Sequence, residues 1–212
     1  MINKLTKNKI IFLIVSVSIF AMVLHSCKAQ EKNQETESEE IKINPKAIEL
    51  NNKAVELIKE MKYDSALVLF YRAIKIDTSY YLPYSNMVGI YLERKQYDSA
   101  LYASNKVVEV QPDLAEGWTY AGILYDSLGD SLIAKKYYQK SIDIFDERIK
   151  NSDKHLLSNQ INRAFCLVLL GRTKEGKAEL RKLKSAHPDN FGIDELLKID
   201  KEDYIRQITG GE

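Results

Sequence analysis

Two cysteines and three histidines are the groups in this 212-residue chain best suited to covalent or metal chemistry. Cys27 follows Leu24-His25-Ser26 at the end of an apolar run. Cys166 lies inside a second apolar run, Ala164 to Leu170, where a free cysteine behaves as a small core residue. His155 and His187 have no Cys, Asp or Glu around them at the spacing of a metal site or a catalytic triad. The one pair of adjacent glycines, Gly210-Gly211, sits near the end of the sequence and makes no phosphate-binding loop. Acidic residues are numerous, but Lys residues stand between them on helical faces. A formal net charge of +1 gives no field that would favour nucleic acid. These patterns read as no enzyme, no metal, no cofactor and no small-molecule substrate. What remains is recognition by amides and aromatic rings, which need a scaffold to present them.

The first residues are read as an address, not as part of the fold. Lys4, Lys7 and Lys9 precede a 15-residue run, Ile10 to Leu24, broken only by Ser16 and Ser18. A membrane-spanning helix needs about 20 apolar residues, so the run fits the apolar region of a secretory signal better. Leu24-His25-Ser26-Cys27 resembles the bacterial lipobox, with His25 as a departure from its usual small or aliphatic residue. The resemblance implies cleavage before Cys27 and acylation of its thiol, so residues 1–26 are assigned as a lipoprotein signal peptide. An uncleaved anchor and ordinary cleavage beside an incidental cysteine are the alternatives. Residues 27–46 follow as a lipidated cysteine and an acidic linker. Lys28 to Glu40 has five Glu and no aliphatic residue larger than Ala, too little to bury a core. As a flexible chain, the 17 residues from 28 to 44 span roughly 23 Å.

The scaffold shows itself as a repeat. Tyr63-Asp64-Ser65-Ala66-Leu67 returns as Tyr97-Asp98-Ser99-Ala100-Leu101, an offset of 34, and the same step leads from Ala100 to Ala134. The segments between carry helical apolar spacing. Trp118, Ala121, Gly122, Tyr125, Gly129, Ala134 and Tyr138 make the clearest copy. Tyr84, Tyr91, Tyr97, Ala100 and Pro112 mark the one before it. Leu50, Ala54, Leu57, Tyr63, Ala66, Phe70 and Ala73 mark the first. This pattern resembles the tetratricopeptide repeat, a helix-turn-helix unit of the same length. The fourth copy fits at Gly171 and Pro188 only with eight extra residues before it. Ile142, Phe145 and Ile149 continue the apolar stripe, so the second helix of the third copy is expected to run long and turn at Asn151-Ser152.

The resemblance implies an all-α, right-handed solenoid of four hairpins over residues 47–190. The copies are 47–80, 81–114, 115–148 and 157–190, with the insertion at 149–156. Residues 191–212 form a C-terminal cap and tail: one helix, or two broken near Asp200, whose stripe of Ile193, Leu196, Leu197, Tyr204, Ile205 and Ile208 covers the fourth copy. His187-Pro188-Asp189 matches the tripeptide of chaperone J-domains, but no J-domain surrounds it.

In the family the first helix of each repeat lines a concave groove that takes a peptide or a helix. Asn52, Asn86 and Asn162 share one groove position, which Tyr120 fills in the third copy, and Phe165 stands nearby. Asn side chains both donate and accept, so they can hold a partner's backbone, and the rings can anchor it. Asn at this position also serves helix packing. The Lys/Arg clamp by which some members hold a C-terminal carboxylate is replaced here by Asn51, Val55, Asn86, Glu116 and Tyr120, of which only Asn86 agrees. The reading is therefore a protein-binding adaptor in the bacterial envelope, lipid-anchored at Cys27 and facing the periplasm. A structural subunit of an envelope secretion or outer-membrane assembly complex, and a regulator of one enzyme or toxin, are the alternatives.

Overall fold

A computed structural model describes residues 42–152 and 154–209. The expectations for Cys27, the apolar run and the acidic segment lie outside the described residues. Ten helices make up the described chain: α1 (Pro45–Lys59), α2 (Tyr63–Ile76), α3 (Leu82–Glu93), α4 (Tyr97–Val110), α5 (Ala115–Ser127), α6 (Ser131–Asn151), α7 (Leu156–Leu169), α8 (Thr173–Ala186), α9 (Phe191–Lys198) and α10 (Lys201–Thr209). No strand occurs among the described residues, and none of their helices is long and apolar enough to cross a membrane.

The helices pair as α1–α2, α3–α4, α5–α6 and α7–α8, and each hairpin packs on the next. All four hairpin turns are built alike. Met61, Lys95, Gly129 and Gly171 each take a left-handed conformation, with φ of 59°, 56°, 87° and 95°. The following amide reaches back to the same point of the preceding helix each time. Lys62 N donates to Leu57 O at 2.9 Å, while Gln96 N to Tyr91 O, Asp130 N to Tyr125 O and Arg172 N to Leu167 O are all 2.8 Å. These bonds satisfy carbonyls that the helix end leaves open. The left-handed residues are spaced by 34, 34 and 42 positions, so the last step carries eight more residues. They are absorbed by α6, which has 21 residues against 14 in α2 and α4, and by the loop before α7. Phe145 and Ile142 keep this longer helix seated, at 0% and 2% exposure.

Small residues let the paired helices approach. Ala54 and Ala66 are fully buried between α1 and α2. A methyl on Gly176 would collide with the Ala164 carbonyl oxygen and lie 2.8 Å from Val168 Cγ2. At Gly122 the nearest neighbour is the Tyr138 ring, 2.7 Å from where a Cβ would sit. The core passes from copy to copy. Phe70, Met87, Ile90 and Leu124 belong to one cluster, Ile142, Phe145, Cys166 and Leu167 to the next, and Ile161, Ala164, Leu180 and Ile193 to the last. Each hairpin alone would leave such a face in water, and its burial is what drives the stacking.

Polar ties repeat as well. The hydroxyls of Tyr71 and Tyr91 share a hydrogen bond of 2.7 Å, and 34 residues later Asn105 Nδ2 donates to Tyr125 Oη at 3.0 Å. Arg148, in the extended part of α6, donates to both oxygens of Glu116 at 3.1 Å and to Asp113 O at 2.7 Å.

The C-terminal stretch is two helices, divided at Ile199-Asp200. The first of them, α9, caps the fourth copy, packing Ile193, Leu196 and Leu197 onto α7 and α8. The second helix, α10, reaches beyond copy four: Tyr204 meets Phe165 of α7, and the helix packs against α5 of the third copy.

Candidate partner-binding groove

The first helices of the hairpins, α1, α3, α5 and α7, line one face, with α1 touching α3 and α5 touching α7. Asn52 on α1 is exposed, and its side-chain oxygen is 3.4 Å from Asn51 Nδ2. Asn86 on α3 is buried, and its Nδ2 donates to Asn51 Oδ1 at 3.0 Å, so this amide ties the first two hairpins together. Gly89, one turn along α3, is exposed and has nothing within 4 Å of where a side chain would grow. The α1–α3 half of the face is therefore open beside Asn52.

The α5–α7 half is filled. Tyr120 is half-buried against the Met87, Tyr91 and Leu124 cluster, and burial raises its phenol above the ordinary value. Asn162 on α7 is half-buried. Phe165 is 7% exposed, and its ring meets Tyr204 of α10 edge to face, with centroids 4.9 Å apart at 83°. Tyr204 is buried, and its phenol is pushed well up by desolvation and by the nearby Tyr120 and Cys166.

A charge sits under this helix. Lys201 Nζ lies 2.6 Å from Asp126 Oδ2, and the two side chains are 17% and 5% exposed. Asp126 also accepts from Tyr138 Oη at 3.1 Å and from Ser131 Oγ at 2.7 Å, while Lys201 Nζ stands 5.6 Å from the centre of the Tyr138 ring. Beside them lies a small polar group. Thr119 Oγ1 and Ser141 Oγ are 2.7 Å apart and both lie within hydrogen-bond distance of Ala115 O, with Cys166 Sγ 3.1 Å from Thr119 Oγ1. Burial pushes the Cys166 thiol up to about 11, which keeps it protonated and unreactive.

Asp126 and Lys201 were not among the residues singled out in the sequence. The signal for Lys201 was present: it heads the stripe Tyr204, Ile205, Ile208 at helical spacing, and a charge on an apolar stripe needs a buried partner. Nothing marks Asp126 as that partner, because the two are far apart in the chain. Among the described residues there is no group of three or more His, Cys, Asp or Glu side chains placed to hold a metal ion.

Comparison with known proteins agrees with this architecture. Residues 115–147 match the model of the tetratricopeptide repeat. The chain is 32% identical to the heat shock protein sti1 homolog of Schizosaccharomyces pombe over 96 residues, which is 45% of this chain and 16% of that protein. It thus spans about a sixth of that relative's length. The solved structure of PilW, a widely conserved type IV pilus biogenesis factor, superposes with a TM-score of 0.55 at 19% identity, covering 79% of this chain and 72% of PilW. A tetratricopeptide repeat protein from Parabacteroides merdae superposes with a TM-score of 0.53 at 20% identity, covering 79% of this chain and 61% of that one. The chain carries a tetratricopeptide repeat at residues 115–147 and has the helical-solenoid fold of the proteins built from such repeats.

Proposed function

We propose that this chain is a protein-interaction adaptor of the bacterial envelope, held to the membrane by a lipid on Cys27 and facing the periplasm. The partner binds the concave face of the first helices. One observation carries the reading: a polypeptide helix, α10, lies on that face and buries Tyr204 and Ile205 there. A surface that holds one amphipathic helix has the shape and polarity to hold another. Solenoids present such extended concave surfaces, and tethering raises the local concentration of whatever they hold.

A second reading is favoured by the outer face. Val68 and Tyr71 on α2 and Tyr102 on α4 are all more than half exposed, an apolar surface of the kind a subunit of a permanent envelope complex presents.

Two arms test the proposal. Cys27→Ala should release the protein from the membrane and block labelling by an alkyne fatty acid; retention through residues 10–24 would remove the tether. Capture from solubilised envelope should return a protein that is lost with Asn52→Arg/Gly89→Arg or with Asn162→Arg. Undiminished capture by both variants would move the working surface to the outer face.

A further inference from the structure

The descent of the chain from repeat to repeat is regular until α10. Each hairpin packs on its neighbour, and α9 closes the fourth with Ile193 fully buried. Then α10 leaves this order and crosses to α5 and α7. It has nine residues, and isolated helices shorter than about 12–15 residues are marginal in water, so its helical state depends on its seat. Its contacts form a single stripe: Lys201, Tyr204, Ile205 and Ile208, at positions i, i+3, i+4 and i+7. Glu202, Asp203, Arg206 and Gln207 face water. This is the pattern of a helical ligand in a groove.

The seat is chemically selective. Asp126 is nearly buried, and its carboxylate is met by one cation and two hydroxyls. Stripping the cation from a buried pair leaves a charge without compensation, which is strongly unfavourable. Whatever replaces α10 must bring a cation of its own. The Phe165 edge then asks for an aromatic ring one turn further on.

We propose that the α5–α7 half of the groove is a receptor for an amphipathic helix of the partner, carrying Lys or Arg, an aromatic residue three positions later and aliphatic residues at four and seven, and that α10 is the chain's own occupant, displaced when that helix binds. This deepens the adaptor reading and rests on it. The open half beside Asn52 and Gly89 gives an incoming chain a place to land while α10 is still seated. The resident helix raises the threshold for full engagement, because only the fraction of molecules with an empty α5–α7 seat can take the incoming helix there.

The probe is a fluorescein-labelled peptide of residues 199–212, titrated by anisotropy against the full chain in detergent. The unmodified chain should bind it at least about tenfold more weakly than a Tyr204→Ala/Ile205→Ala chain, whose own helix is loosened. The same peptide with Lys201→Glu should not bind either chain. A loosened chain that keeps its helical content but binds the peptide no better than the unmodified one overturns the proposal. A second measurement needs no variant: hydrogen exchange on the unmodified full chain. The α10 amides should exchange at least about tenfold faster than those of mid-α5 and mid-α7, as for a locally opening unit. Equal protection would make α10 part of the fixed core and overturn it. If peptide binding fails while groove-dependent envelope capture persists, this inference falls and the adaptor reading stands; if both fail, both fall.

Discussion

The same substitution made at two helical glycines should move stability in opposite directions. Gly89→Ala places a methyl in open solvent, with no atom within 4 Å. Its effect is the intrinsic preference of helix interiors for Ala over Gly, a gain of about 0.8 kcal/mol. Gly176→Ala makes the same gain in α8, but there the methyl meets the Ala164 carbonyl oxygen, with Val168 Cγ2 at 2.8 Å and Val168 N at 3.1 Å. Two of these three atoms belong to the α7 backbone, which cannot rotate away, so α7 and α8 must part. Overpacking typically costs about 1–3 kcal/mol, and rigid backbone neighbours put this site at the upper end. The net effect is a loss of about 2 kcal/mol. Urea unfolding of the full chain in detergent, followed by helical circular dichroism, reads both. With a slope near 2 kcal/mol per molar, the midpoint should rise by about 0.4 M for Gly89→Ala and fall by about 1 M for Gly176→Ala. If Gly176→Ala leaves the midpoint unchanged or raises it, the close approach of α7 and α8 is wrong. If Gly89→Ala lowers it, the position is not open.

Lys95 holds φ at 56° in the second hairpin turn, where Gly129 and Gly171 stand in the third and fourth. Lys95→Gly should therefore raise the unfolding midpoint, by about 0.5–1 kcal/mol in stability, and a fall would mean the turn is not left-handed. Arg148→Ala removes the bifurcated bond from Nη1 to the two Glu116 oxygens and the bond from Nη2 to Asp113 O. It should speed hydrogen exchange in the last two turns of α6 and leave α2 unchanged; uniform acceleration would refute the local role. Burial raises the Cys166 thiol to about 11, above its ordinary value of 9.0, so the unfolded chain gives up this proton first as pH rises. This contribution is complete below pH 9 and is lost between pH 9 and 11, about 2–3 kcal/mol in all. Tyr138 and Tyr204, raised by burial, act in the same direction at higher pH. Cys166→Ala should flatten the part of the decline that begins near pH 9, and an unchanged profile would contradict the burial of the thiol.

Much of the fold was legible because it is periodic. The recurrence of Tyr63-Asp64-Ser65-Ala66-Leu67 set the repeat length, and Ile142, Phe145 and Ile149 announced a long α6. Both are local signals, read along one helix. The seat of α10 was not legible, because a stripe such as Tyr204, Ile205, Ile208 says that a face is buried and not what buries it. Asn86 shows the same limit. Its repeat position is legible, but whether its amide turns to a partner or to Asn51 depends on the spacing of α1 and α3, which no single-helix pattern encodes. Met61 and Lys95 show another, since neither residue type advertises a left-handed turn and only the equivalent Gly129 and Gly171 do.

The most direct test of the adaptor account is site-specific photo-crosslinking in intact cells. A benzoylphenylalanine in place of Gly89 reports the concave face, and one in place of Tyr102 reports the outer face. The account predicts a crosslinked protein from the Gly89 site, the same one on repeated trials, with little or none from Tyr102. Crosslinks from Tyr102 alone would contradict it and place the working surface on the outer helices.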